Sequence, residues 1–255
     1  MRQLLVALTL TATLTGCVQT RQYADVMFEP PSGDYKLLVM RPDVSVGSVT
    51  TGGLTERRAD WTETARANLI AALREQQGAR GGNVTVLDKR DQLRGVSAEE
   101  VADLERLNGA VSNSIALHKY QRETLPTKRG RGLDWTLGED AVALGRKTGY
   151  DYALFLYAED SFASTGRVAL QVLGVAGCFV GFCAPNMGGG GQFAYASLVD
   201  LRTGKVSWFN VLDARSQVAG IKFGDIRTRE GAATMVERLL DRMKPGRLMR
   251  KKAVS

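Results

Sequence analysis

Six consecutive residues, Tyr152–Tyr157 (YALFLY), carry only apolar or aromatic side chains. A strand of this kind has no face fit for water, so it belongs in the middle of a sheet, buried on both sides. Such a sheet needs helices packed on it. The neighbouring segments agree. Tyr35–Met40 (YKLLVM) reads as a second buried strand and Asn83–Leu87 (NVTVL) as a third. Phe193–Leu201 and Val206–Leu212 flank Arg202-Thr203-Gly204-Lys205, a hairpin in which Gly204 supplies the positive φ of the turn. Arg41–Gly53 (RPDVSVGSVTTGG) reads as a loop, because a proline and three glycines punctuate it.

Helical spacing fills the remainder. Asp60 with Glu63 marks a helix start, Trp61, Ala65, Leu69, Ala72 and Leu73 form its apolar stripe, and Gly78 is its expected stop. Ser97 to Glu100 is a capping box, followed by a stripe of Val101, Leu104, Asn108, Val111, Ile115 and His118. Lys119–Gly132 reads as an exposed basic loop. Thr136 with Glu139 opens a further helix through Lys147, and Gly149 ends it. Ala232, Val236, Leu239, Leu240 and Met243 predict a C-terminal amphipathic helix stopped by Pro245-Gly246. The fold class is therefore α/β: a single domain over residues 34–246, a mixed sheet with helices packed on it and a hairpin at Phe193–Leu212. Hydrophobic residues at 44% and charged residues at 24% of the 255 exclude intrinsic disorder and a multi-span membrane protein.

The N-terminus sets the compartment. Met1-Arg2 is a short positive start, Leu4–Leu14 is an apolar run, and Leu14-Thr15-Gly16-Cys17 follows. The run is too short to cross a hydrocarbon core of ~30 Å, so it reads as an export signal. Small residues before a cysteine resemble the lipobox of bacterial lipoproteins. The resemblance implies that residues 1–16 are removed and that Cys17 carries fatty acyl chains of the palmitate class. Residues 17–33 then form a lipidated tether. Losing Arg2 changes the side-chain balance from +7 to +6. Val18, which is not aspartate, implies sorting to the outer membrane, facing the periplasm. In that oxidising space Cys178 and Cys183 either close a small disulfide loop or stay as buried thiols. Zinc is not expected, because the pair has no second pair and His118 is sixty residues away.

Leu144–Leu156 (LGRKTGYDYALFL) and Ala196–Trp208 (ASLVDLRTGKVSW) place Gly149, Asp151, Tyr152, Asp200, Thr203, Gly204 and Trp208 in a pattern of helix, Gly-Asp-Tyr strand, then Asp-x-x-Thr-Gly and tryptophan. The pattern resembles periplasmic lipoprotein domains of the curli-secretion-channel type, whose fold is shared by activators of penicillin-binding proteins and the N-terminal domain of TolB. The resemblance implies the fold and structural roles for these seven residues. The two pore-building amphipathic hairpins of the curli channel have no counterpart here.

Val168–Ala184 (VALQVLGVAGCFVGFCA) is uncharged over seventeen residues and precedes Gly188–Gly191. Two readings stay open: a helix capped by Ser164 or Thr165 and buried before a glycine loop, or an apolar flap. In the second, Val172, Leu173, Phe179, Val180 and Phe182 touch the membrane or a partner protein. Arg247, Arg250, Lys251 and Lys252, with Lys244, form a basic tail (247–255) suited to anionic headgroups or an acidic protein surface; Lys128, Arg129 and Arg131 form a second cluster. Nucleic acid is not an expected partner of an exported chain. One histidine excludes H-E-x-x-H, and neither G-x-S-x-G nor S-x-x-K occurs. Glu159-Asp160 is the one acid pair at a strand end, and opposite side-chain directions make it a solvated edge. The chain reads as a lipid-anchored, non-enzymatic envelope module with no cofactor and no metal. An envelope protein partner and self-association are expected. The alternatives are a subunit of an oligomeric secretion pore and an envelope hydrolase working through His118 or Glu159/Asp160.

Overall fold

Seven strands and five α-helices are found among the described residues of the computed structural model, which are 35–80, 83–120, 125–129, 131–178, 190–215, 223–241 and 243. The strands are β1 (Lys36–Val39), β2 (Asp43–Val49), β3 (Thr55–Arg57), β4 (Asn83–Val86), β5 (Tyr152–Ala163), β6 (Gln192–Asp200) and β7 (Val206–Asp213). The helices are α1 (Ala59–Arg80), α2 (Ala98–Tyr120), α3 (Gly138–Thr148), α4 (Thr165–Cys178) and α5 (Arg229–Leu240). The expected signal peptide 1–16, the expected tether 17–33 with Cys17, and the tail 247–255 lie outside the described residues.

The sheet is mixed and β5 is its axis. On one side β6 runs antiparallel along β5 from Tyr152↔Asp200 to Asp160↔Gln192, and β7 follows as the second hairpin arm. On the other side β1 and β2 pair with β5 in succession, both parallel, from Leu37↔Tyr152 to Val49↔Ala163. Val39 faces Leu154 and Asp43 faces Tyr157, so four steps on the first strand match three on β5. One extra residue is absorbed at Met40–Pro42, where Pro42 has no N–H to give the ladder. β4 extends the sheet beside β1 and β3 beside β2.

Alternation along β5 divides the core into two layers. Tyr152, Leu154, Leu156 and Ala158 join Leu69 and Leu73 of α1 and Met235, Val236 and Leu239 of α5. Ala153, Phe155 and their neighbours Tyr195 and Phe209 join Val101, Leu104 and Ile115 of α2 and Ala141 and Leu144 of α3. The apolar run thus sits between helices on both faces, as its composition requires. The capping box forms as expected: Ser97 N–H donates to Glu100 Oε2 at 2.9 Å and Glu100 N–H to Ser97 Oγ at 3.1 Å.

The pattern residues hold backbone in place. Gly149 caps α3 at φ 72°, its N–H reaching Gly145 O. Asp151 Oδ2 accepts from Lys36 N–H at 2.8 Å. Asp200 Oδ1 accepts from Arg202 N–H at 2.8 Å, and Arg202 donates on to Tyr152 Oη at 2.8 Å. Gly204 sits at φ 70°, and a Cβ there would lie 2.4 Å from Gly138 O. Trp208 is fully buried.

Three expectations are corrected. Arg41–Gly53 is not all loop: it contains β2, whose Val44 and Val46 face α1. Gly47 is there for space, since a Cβ would stand 2.6 Å from Thr55 Cγ2 and 2.9 Å from Glu56 O. Gly78 does not stop α1, which runs to Arg80. Thr136 does not box with Glu139; its Oγ1 accepts from Gly138 N–H and donates to Gly204 O, each at 2.9 Å, tying α3 to the hairpin turn.

Candidate functional site

The chain leaves the sheet at Ala163 and returns at Gln192, and α4 lies in this excursion. Ser164 starts the helix: its Oγ accepts from Arg167 N–H at 3.3 Å and its carbonyl from Val168 N–H at 2.9 Å. The root of α4 is fastened to the turn between β2 and β3. Arg167 Nη1 donates to Thr50 O at 3.2 Å, and a Cβ on Gly166 would lie 2.8 Å from Thr51 Oγ1. Beyond the root, apolar side chains stand open to solvent as far as Leu173. Val168, Leu170, Val172 and Leu173 are 46, 36, 62 and 65% exposed. Leu54, in the adjoining turn, is 75% exposed. All but one of the exposed large apolar side chains among the described residues therefore gather at this end, the exception being Leu125.

The exposure corrects the buried-helix reading over Val168–Leu173: Val172 and Leu173 stand in the open, as the flap reading has them. Phe179, Val180, Phe182 and Cys183 lie outside the described residues, as do Arg247, Arg250, Lys251 and Lys252; Cys178 is the last residue of α4. Leu54 was not foreseen. A lone leucine between a Thr-Thr-Gly-Gly turn and a charged strand gives no periodic signal, and only its exposure in the turn that holds the root of α4 reveals it.

Below the apolar end is a collar of arginine and aromatic rings. Trp61 stands edge-on to Phe162 with ring centroids 5.9 Å apart. The Arg227 guanidinium lies 3.5 Å from the Phe162 centroid and 4.5 Å from that of Trp61, and Arg58 stacks on Trp61 at 4.9 Å. Arg227 Nη2 pairs with Asp225 at 2.7 Å, and this carboxylate raises the arginine's pKa. Arg58 pairs with Asp60 at 3.3 Å and lowers its pKa.

The acid pair at the end of β5 is not a solvated edge. Glu159 is exposed, but Asp160 is fully buried. Its Oδ2 accepts from Gln192 Nε2 at 2.9 Å; the same nitrogen donates to Gly224 O at 2.8 Å, and Gln192 Oε1 accepts from Phe223 N–H at 2.8 Å. Asp160 thus braces the base of the excursion against the segment before α5. Glu159 Oε2 accepts from Tyr157 Oη at 3.1 Å, and burial, with Glu159 beside it, raises the Tyr157 phenol. Burial also pushes Tyr195 up to about 12. Neither phenol is a ready base.

His118 is committed to structure. Its Nδ1 accepts from Leu125 N–H at 2.8 Å and its ring tilts against Trp135 at 5.4 Å. The basic loop beside it is largely paired: Arg131 Nη1 lies 3.2 Å and Lys128 Nζ 3.4 Å from Asp134 Oδ2, and these two cations hold the Asp134 carboxyl low. The other buried polar groups of α2 are Asn108, whose Oδ1 accepts from Ser197 Oγ at 3.0 Å, and Ser112, whose Oγ donates to the same Oδ1 at 3.5 Å. Among the described residues no cluster of three metal-ligating side chains exists, and no helix is long and apolar enough to cross a membrane.

No protein-family model matches the chain, and no curated protein does. Solved structures are distantly similar. A PelC dodecamer from Paraburkholderia phytofirmans is 13% identical at TM-score 0.37, over 89% of this chain and 97% of that one. The LpoB C-terminal domain from Salmonella enterica is 16% identical at TM-score 0.26, over 74% of this chain and 88% of that one. A lipoprotein from Neisseria meningitidis is 14% identical at TM-score 0.26, over 74% and 86%. At these TM-scores the function has to come from this chain's own residues.

Proposed function

We propose that the protein is a lipid-anchored, non-enzymatic binding and assembly module of the cell envelope, held at the outer membrane on its periplasmic side by acyl chains on Cys17. The observation that carries this reading is the apolar end at Leu54 and Val168–Leu173, left open on a domain whose other large apolar side chains, among the described residues and Leu125 apart, are buried or half-buried. An open patch rooted on a braced scaffold is what a docking surface requires. The buried Asp160, Asn108 and His118 support the non-enzymatic part, since each is bonded to a structural partner. The basic tail at Arg247, Arg250, Lys251 and Lys252 supplies a contact for anionic groups.

Mass spectrometry of the N-terminus with membrane fractionation tests the anchor. The expected product begins at an acylated Cys17 and moves to the soluble fraction in Cys17→Ser. A Met1 start in protein recovered from the cytosol overturns the reading. Sizing in detergent then separates a monomer or dimer, expected of a module, from a ring of many copies, which would make the chain a pore subunit instead.

A further inference from the structure

We propose that α4, with Leu54 beside its root, is a second membrane anchor, entering the acyl layer of the leaflet that holds the Cys17 lipid. The inference rests on the lipid-anchored reading above for the presence of a membrane, and names what the apolar end takes.

Successive residues on a helix are about 100° apart, so exposed Val168, Val172, Ala169, Leu173 and Leu170 cover an arc of about 200°. A surface helix facing one partner shows an apolar stripe of roughly 100°. A facing helix or sheet covers one side; fluid acyl chains cover every side. Charge agrees, because the sequence has none from Val168 to Ala184. Length sets the mode of entry. The 14 residues of α4 span about 21 Å, less than the ~30 Å hydrocarbon core, so the helix enters one leaflet and does not cross.

The root has the make-up of a membrane interface. Arg167 lies in the first turn of α4, exposed Arg57 and Arg58 follow Leu54, and Trp61 and Phe162 lie beside Arg227. Aromatic rings and snorkelling cations are suited to headgroup depth. Glu56, Asp60 and Asp225 accompany these four arginines. The collar is close to neutral, so apolar burial drives the insertion and anionic lipid adds little.

The tether permits the geometry. Tyr35, the first described residue, packs edge-on against Tyr152 at 5.6 Å, at the opposite end of β5 from α4. The 12 residues of β5 make that separation roughly 40 Å. Residues 18–34 reach at most about 60 Å when extended. An acyl group on Cys17 therefore reaches the leaflet that α4 enters.

The test uses the acylated protein, purified from cells and reconstituted in vesicles of phosphatidylethanolamine and phosphatidylglycerol that include a phospholipid with a carbene precursor at its acyl terminus. After illumination, mass spectrometry maps lipid adducts and weighs Cys17. Adducts at Val168–Leu173 and at Leu54, falling at least about tenfold in Val172→Glu/Leu173→Glu, bear the proposal out. A melting temperature equal to that of the parent shows that the double variant is folded. A parent without adducts on α4 overturns the proposal, including the case in which α4 is crosslinked to a second copy or to another protein. Adducts undiminished in the variant overturn it equally. The mass at Cys17 is read separately, so a missing acyl group counts against the lipid-anchored reading alone.

Discussion

Gln192 is the residue on which the base of the α4 excursion hangs, and replacing it with methionine tests that role. The side chain is fully buried and makes three hydrogen bonds, to the Asp160 carboxylate, Gly224 O and Phe223 N–H. Methionine keeps the volume, so no cavity confuses the result. It leaves a half-buried carbonyl and a buried amide short of a partner, at about 1–3 kcal/mol each, and takes one donor from a carboxylate, at about 1.5–3 kcal/mol. Allowing for coupling among adjacent groups, the loss is about 4 kcal/mol. For a domain of this size each kcal/mol lowers the melting temperature by about 2–4 °C, which gives a fall of about 8–16 °C. Circular dichroism melting of the parent and of Gln192→Met measures it directly. A fall under about 3 °C would refute the reasoning, because it would mean that the Asp160–Gln192 link contributes no more than a surface contact.

Other outcomes follow from the same geometry. Gly204→Ala places a Cβ 2.4 Å from Gly138 O at φ 70° and is expected to lower stability by ~2 kcal/mol or more in urea titration. Glu100 is held down to about 2 from an ordinary 4.5, first by Lys147 and then by the Ser97 backbone amide. With the folded value below the unfolded one, its contribution is complete above pH 4.5 and is lost as the pH falls towards 2; Glu100→Gln should therefore flatten the acid limb of the stability curve between those limits. Val172→Glu/Leu173→Glu changes two exposed side chains, so denaturant midpoints should correspond to less than about 0.5 kcal/mol per site; a larger loss would mean that α4 packs on the domain.

Much of the architecture is legible in the sequence because local and global preferences coincide. Tyr152–Tyr157 is apolar throughout and lies between two helical layers; Ser97 and Glu100 form the expected box; Gly149 and Gly204 have the positive φ that their positions require. β2 is hidden because Pro42 and Gly47 carry loop signals for other reasons. The proline sits where the ladder is interrupted, and the glycine admits the neighbouring strand. Asp160 is misread because alternation says which way a side chain points, not what lies there, and its cover comes from Gln192 and Gly224, far along the chain. For the same reason Val168–Leu173 left two readings open: an uncharged helix has the same composition whether a protein or a membrane surrounds it.

The irregularity at Met40–Pro42 marks the place where this edge of the sheet can lose a residue without turning β2 over. Val39 and Val44 lie five apart yet both face α1, and a regular pleat would send them to opposite sides. Deleting Arg41 would bring them to four apart, the spacing at which a regular pleat sends both to one side, so Val44 and Val46 would stay on Leu69 and Leu73 while Asp43 and Ser45 stayed outside. A deletion within β2 itself, at Ser45, would instead make Val44 and Val46 chain neighbours and turn one of them outward, so a codon lost at the corner and one lost four positions later have opposite consequences.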